Sequence, residues 1–401
     1  MLTNRALFLQ HLGQTSVAPM MLEIVRAEGI YMYGPDGEQY IDLISGVSVS
    51  NTGHCHPKVI EAVKKQIELY MHLMVYGEFI QNPQVKYAEY LVGILPPALT
   101  SCYFVNSGSE AVEGALKLAK RFTGKSRIIS FKNSYHGSTH GALSIQGSEL
   151  YRNAFRPLLP DIFQLAFNDE KSLDAIDNRT ACVIVEPVQG EAGIIFPEND
   201  FLLKIRKKCD STGALLIFDE IQTGFGRLGH MFAIDRFGVI PDILLLAKAL
   251  GGGMPLGAFI SSTDIMSALL TNPSLGHITT FGGHPVCCAA GLASLKVIID
   301  GNLAESCKSK SDLFRKELIH PLISEVRGEG LFLAVQLIDM SYIPYIIANA
   351  PTYGLVLDYF LFCDNAFRIA PPLIIGEEEI VMACNLLKKL LDDAGNSIKK
   401  R

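Results

Sequence analysis

Five short, almost continuously apolar runs constrain this chain more than any other feature: residues 103–105, 128–131, 182–185, 215–218 and 243–247. Helical stretches separate them. Runs this short and this apolar read as strands buried on both faces, and strands alternating with helices predict a mostly parallel sheet covered by helices. A polar or reactive residue follows each run at once or within a few positions: Ser107, Tyr135, Glu186, Asp219 and Lys248. Ligands in open α/β sheets bind beyond the carboxyl ends of the strands, so these five residues are expected to converge on one crevice.

The chain has 401 residues, 49% hydrophobic and 19% charged, which is enough for a large core. Its 35 Lys+Arg against 41 Asp+Glu leave a net charge of −6, the wrong sign for a nucleic-acid binder. No apolar run approaches the ~20 residues that span a bilayer, and the start lacks the pattern of a signal peptide, so no membrane association is expected. Nine scattered cysteines without a C-x-x-C read as thiols of a reduced, cytoplasmic protein. The predicted architecture is α/β. Residues 55–293 form a large domain with a mostly parallel central sheet. Residues 1–54 and 294–401 form a small α+β domain from both termini. In the first of these segments, Gly34-Pro35-Asp36-Gly37 marks a turn between two extended stretches.

The segment Asn106-Ser107-Gly108-Ser109-Glu110-Ala111 joins a predicted strand to a predicted helix, whose apolar face is Val112, Ala115, Leu116 and Ala119. Free N–H groups, a glycine and two hydroxyls at a helix start suit an anion, though a plain serine cap explains the same residues. Gly224-Phe225-Gly226-Arg227-Leu228-Gly229 is a literal G-x-G-x-x-G. It follows its strand too late for a dinucleotide fingerprint and reads as a chance match. His136 and His140 are four apart without the glutamate of a zinc helix. His54-Cys55-His56 precedes Pro57, which reads as a helix start. No metal is expected at either place.

Lys248 ends a buried strand ahead of Gly251-Gly252-Gly253. A lysine there, in an apolar crevice, has a depressed pKa and acts as an amine nucleophile. Asp219 is a carboxylate whose burial requires a cationic partner. A phosphate cradle, an amine, a buried carboxylate and the aromatic Tyr135 together match the needs of pyridoxal 5'-phosphate (PLP): aldehyde, phosphate, ring nitrogen and ring face.

These residues resemble those of the class III aminotransferases, the ornithine, acetylornithine and 4-aminobutyrate branch of the fold-type-I PLP-dependent transferases. The resemblance spans nearly the whole chain. Its most specific motif is Leu216-Ile217-Phe218-Asp219-Glu220-Ile221-Gln222-Thr223-Gly224-Phe225-Gly226-Arg227, and Ser107-Gly108-Ser109, Tyr135-His136-Gly137, Glu186-Pro187-Val188-Gln189-Gly190-Glu191, Lys248 and Arg368-Ile369-Ala370-Pro371-Pro372 accompany it. It implies that Lys248 carries the coenzyme as a Schiff base and shuttles the substrate proton. It also implies that Asp219 keeps the ring nitrogen protonated and that Gln222 meets the 3-hydroxyl. Ile221 and Tyr135 cover the ring faces. Ser107, Gly108 and Ser109 take the phosphate, with His136 and Glu186 among the cofactor contacts. Thr280 looks like the phosphate contact supplied to a neighbouring subunit, which implies a homodimer with shared active sites.

The implied reaction is ping-pong amino transfer from an amine or amino-acid donor to 2-oxoglutarate. In it Arg368 clamps a carboxylate, and Glu191 pairs with Arg368 while the donor is bound. An aminomutase, decarboxylase or racemase on the same fold is the other reading, and a non-catalytic relative a third. Glu191 with Arg368 favours transamination, because a switch between two unlike substrates serves no purpose in a one-substrate enzyme. Three departures bear on the donor: Ser138 stands where the family has an arginine for a distal carboxylate, Val47 stands at the aromatic position of ornithine aminotransferases, and His284 stands where the family usually has an asparagine. A donor with a smaller, neutral or apolar distal group is expected.

Overall fold

The structure is a computed structural model and describes residues 3–75 and 77–398. All five apolar runs are strands of one seven-stranded sheet. In spatial order it reads Ser101–Val105, Gly257–Ser261, Ile243–Leu246, Leu215–Asp219, Thr180–Val185, Arg127–Phe131 and Ile162–Leu165. The strand Gly257–Ser261 runs antiparallel to both neighbours, and the remaining pairings are parallel. Every residue of Arg127–Phe131, Thr180–Val185, Leu215–Asp219 and Ile243–Leu246 is buried, as strands covered on both faces require.

The helix Gly108–Thr123 lies on this sheet. Its buried face includes Val112, Ala115, Leu116 and Ala119, the stripe expected from spacing. Gly114 sets how close it comes, since a Cβ there would lie 2.4 Å from the Phe259 ring. The helix ends at Gly124 in the left-handed conformation, φ 66°. Residues of all three decoys have structural places as well. Residues 224–229 form turns, and no helix starts until Ala233–Phe237. His56 caps the helix Pro57–Leu69 by accepting the Lys58 N–H, and the His140 ring bonds the Pro157 carbonyl.

The two ends of the chain meet in a second core. Leu355 pairs in parallel with Ile41, so Leu355–Val356 extends the meander Arg26–Glu28, Tyr31–Tyr33 and Gln39–Asp42. Ile30, Ile41 and Leu43 share one apolar cluster with Leu333, Phe367, Ile380 and Leu387. A second small sheet has the order Ile323–Glu329, Phe332–Leu337, Ala366–Ile369, Asp358–Tyr359. No single helix among the described residues is long and apolar enough to cross a membrane.

Arg227 fastens this second core to the sheet. It is fully buried and donates to the Leu331 and Pro371 carbonyls at 2.8 and 2.6 Å, to Ser45 Oγ at 3.1 Å, and to Asn51 Oδ1. The clamp steadies an unusual backbone stretch. Ser45, Gly46, Val47 and Ser48 all have positive φ, which L-residues adopt only when their surroundings hold them there. Asp42 Oδ1 accepts the N–H groups of Ile44 and Ser45, and Ser45 Oγ donates to the Ala370 carbonyl. Replacing Arg227 with Met strands several buried acceptors, so Arg227→Met should cost about 3 kcal/mol or more in denaturant unfolding. A loss under about 1 kcal/mol would show that the clamp holds nothing.

Candidate active site

A cavity of about 530 Å³ opens at the carboxyl ends of the parallel strands. It is lined by Ser107, Gly108, Ser109, Tyr135, His136, Glu186, Asp219, Ile221, Gln222 and Lys248. All five strand-end residues singled out in the sequence therefore meet in one place.

Asp219 is the last residue of its strand. Its Oδ2 lies 2.7 Å from His136 Nδ1 and its Oδ1 accepts the Ile221 N–H at 3.1 Å. His136 is the polar partner that burial of Asp219 demands. Glu186 accepts the N–H groups of Tyr135 at 2.8 Å and Gly190 at 3.0 Å. Burial pushes its carboxyl up to about 7; the His136 ring opposes this and the Asp219 charge adds to it.

Lys248 opens the turn that follows its strand, with φ 52°, a left-handed conformation that lysine rarely adopts. Burial lowers its amine to about 8 from the usual 10.5, and the Arg368 charge adds to the lowering. Glu191, Asp219 and Glu186 act in the opposite sense. An amine so shifted is partly neutral near pH 7, as a nucleophile requires.

The helix Gly108–Thr123 aims its first turn into the cavity. Ser107 caps it by accepting the Glu110 N–H at 3.2 Å, so the serine is a cap and a cavity residue at once. The first-turn N–H groups of Gly108 and Ser109 have no carbonyl one turn back to bond. A Cβ on Gly108 would lie 2.8 Å from Ile221 Cδ1, which keeps position 108 small. Among the described residues, two buried nitrogens in the cavity wall, Gln222 Nε2 and His136 Nε2, lack a hydrogen-bond partner. Free first-turn amides, an unpaired amide nitrogen, a hydrogen-bonded carboxylate and a shifted amine fit PLP: its phosphate, its ring oxygen, its ring nitrogen and its aldehyde.

Four expected site residues lie outside this chain's cavity lining. Glu191 and Arg368 form an ion pair of 2.6 Å in which Arg368 is fully buried, close enough for both charges to act on Lys248. Val47 belongs to the left-handed stretch, and Val49 lines the cavity instead. Thr280 is exposed, beside Thr279, which accepts from Asn106 Nδ2 at 3.0 Å. The sequence reading passed over Asn106, Thr223, Ala247, Met254, Pro255 and Leu256 as wall residues. Each lies inside a stretch that was quoted for other residues, or in the glycine loop after Lys248, and that neighbourhood was the available signal.

The family model for Aminotransferase class-III matches residues 12–391. The chain is 39% identical to an acetylornithine aminotransferase of Methanopyrus kandleri, covering 96% of this chain and 97% of that one. It is 38% identical to an acetylornithine aminotransferase of Streptomyces coelicolor, covering 94% and 92%. Among solved structures, an omega transaminase from Pseudomonas jessenii in complex with PMP superposes with a TM-score of 0.92 at 27% identity, covering 99% of both chains. The ornithine aminotransferase from Toxoplasma gondii superposes with a TM-score of 0.89 at 30% identity, covering 98% and 95%. The chain belongs to the class III aminotransferase family. It is a PLP-dependent transaminase that takes an amino donor and a keto acid.

The shifted amine has a consequence for stability. In the cofactor-free protein the folded state disfavours the Lys248 ammonium. That penalty is full below about 8 and fades as pH rises from about 8 to 10.5. Lys248→Met should therefore unfold at higher denaturant than the cofactor-free parent at pH 7, with the gap closing across that window. Parallel pH profiles for the two proteins would contradict it.

Proposed function

We propose that this transaminase moves an amino group to 2-oxoglutarate from a donor whose distal group is not a carboxylate. The observation that carries the transfer is the meeting of Lys248 and Asp219 in one cavity with the start of helix Gly108–Thr123. Bound PLP supplies an electron sink for the electrons left when the donor loses its Cα proton. Lys248 would take that proton and give it back, and its lowered pKa suits both duties. Asp219, steadied by His136 and the Ile221 N–H, offers the negative charge that keeps a ring nitrogen protonated. The first-turn amides of Gly108 and Ser109 would hold the phosphate, and the unpaired Gln222 Nε2 would donate to the ring oxygen. Tyr135 and Ile221 bound the ring. Arg368 receives the keto acid's carboxylate when Glu191 leaves it, so one site serves two half-reactions in turn.

The donor assignment rests on missing cations. Ser138, at the position where the resemblance puts an arginine, offers no cation; its Oγ lies 3.3 Å from the Tyr135 hydroxyl. Arg152 and Arg156 are both bound to Glu149. Thr280, exposed and outside its own cavity, supports a homodimer in which it reaches the partner's phosphate site. The nine free thiols, mostly buried, suit the cytoplasm.

A panel of donors tested with 2-oxoglutarate, reading glutamate, should favour amines without a distal carboxylate. Lys248→Ala should abolish turnover. Ser138→Arg should raise kcat/KM for donors with a distal carboxylate by about 10- to 100-fold, the worth of one charge-assisted contact. If the parent already prefers such donors, the assignment fails.

A further inference from the structure

Arg368 faces two carboxylates rather than one. Its NH2 lies 2.6 Å from Glu191 Oε1, and its NH1 lies 3.7 Å from Asp358 Oδ2. Among the described residues, NH1 and Nε make no hydrogen bond, and the Phe360 ring sits 4.8 Å from the guanidinium carbon. The two acids are held differently. Asp358 stands directly opposite Arg368 in antiparallel register, so the sheet fixes it. Glu191 comes from a turn; its Oε2 accepts the Leu361 N–H at 3.1 Å and its carbonyl accepts the Phe362 N–H. Burial raises the Asp358 carboxyl, while the Arg368 charge holds it down.

A buried guanidinium stripped of its counter-charge is a costly state. If Glu191 were the sole partner, each departure of Glu191 would create that state until a substrate carboxylate arrived. With Asp358 fixed beside NH1, Arg368 stays neutralised throughout. The cost appears elsewhere, because an incoming carboxylate lands on a cation already shared and near a second anion.

We propose that Asp358 is a positioning residue acting through Arg368: a fixed counter-charge that eases Glu191 away and loosens the grip on the acceptor's carboxylate. This rests on the reading that Arg368 receives that carboxylate. In the intact pair the effect is masked, because Glu191 and the acceptor compete for the same guanidinium and feel Asp358 alike. Removing Glu191 exposes it.

The test uses the holoenzyme and 2-oxoglutarate. Cofactor first converted by a donor is returned to its yellow form by the keto acid, and the spectrum gives kcat and KM of that half-reaction. In a Glu191→Gln background, adding Asp358→Asn should lower the acceptor's KM about tenfold while kcat moves less than about threefold. Adding Asp358→Glu instead, which keeps the charge, should leave KM near its Glu191→Gln value. An unchanged KM in the Asp358→Asn double variant overturns the proposal. Melting gives a second, independent reading. Glu191→Gln alone should melt within about 4 °C of the parent, since Asp358 still neutralises Arg368, and the double variant should melt lower. A collapse of the single variant overturns the proposal even if the double variant never folds. Failure of the transamination reading looks different: no donor would convert the cofactor in the parent enzyme at all.

Discussion

A sheet buried on both faces cannot carry charge along its strands, so charge collects where the strands end, and this constraint organises the molecule. At the amino end Arg127 is neutralised by Asp161 and Asp177, and the matter stops there. At the carboxyl end Glu186, Asp219 and Lys248 stand together without so complete a cancellation. The shifted carboxyl of Glu186 and the shifted amine of Lys248 share one cause, which is poor solvation in a crowded crevice. The fold thus supplies the reactive amine by burying it.

Much of this was legible in the residues because the same constraint writes a pattern. Unbroken apolar runs told of two-sided burial, and a polar residue after each run told of the crevice. Two strands of the sheet escaped that reading. Ile162–Leu165 is an edge strand with an exposed phenylalanine and only one fully buried residue, so it never forms an apolar run. Gly257–Ser261 begins with glycine and follows a glycine loop, so it reads as more loop. Long-range partners were equally silent. Nothing local in Ile41 announces Leu355, and nothing local in Asp358 announces Arg368. Val47, placed by the resemblance, lies in the stretch Ser45–Ser48 that winds left-handed, a backbone course that no residue type there announces.

Arg227 and Arg368 show two uses of a buried guanidinium. Arg227 spends its donors on carbonyls, a hydroxyl and an amide, neutral partners that it has no reason to leave. Arg368 meets carboxylates and, among the described residues, keeps two nitrogens without a hydrogen bond. On the proposed reading the first arginine is fastening and the second is recognition, and the difference lies in their partners rather than in depth of burial.

The antiparallel strand Gly257–Ser261 lies between Ser101–Val105, which leads into the phosphate helix, and Ile243–Leu246, which leads to Lys248. It is the last of the seven in chain order, yet it sits inside the sheet. Anion cradle and amine have no fixed separation until this strand, which follows Lys248 after one short loop, slots between them. The distance between cradle and amine is thus set by the width of an interposed strand rather than by any direct contact between the two elements that carry them.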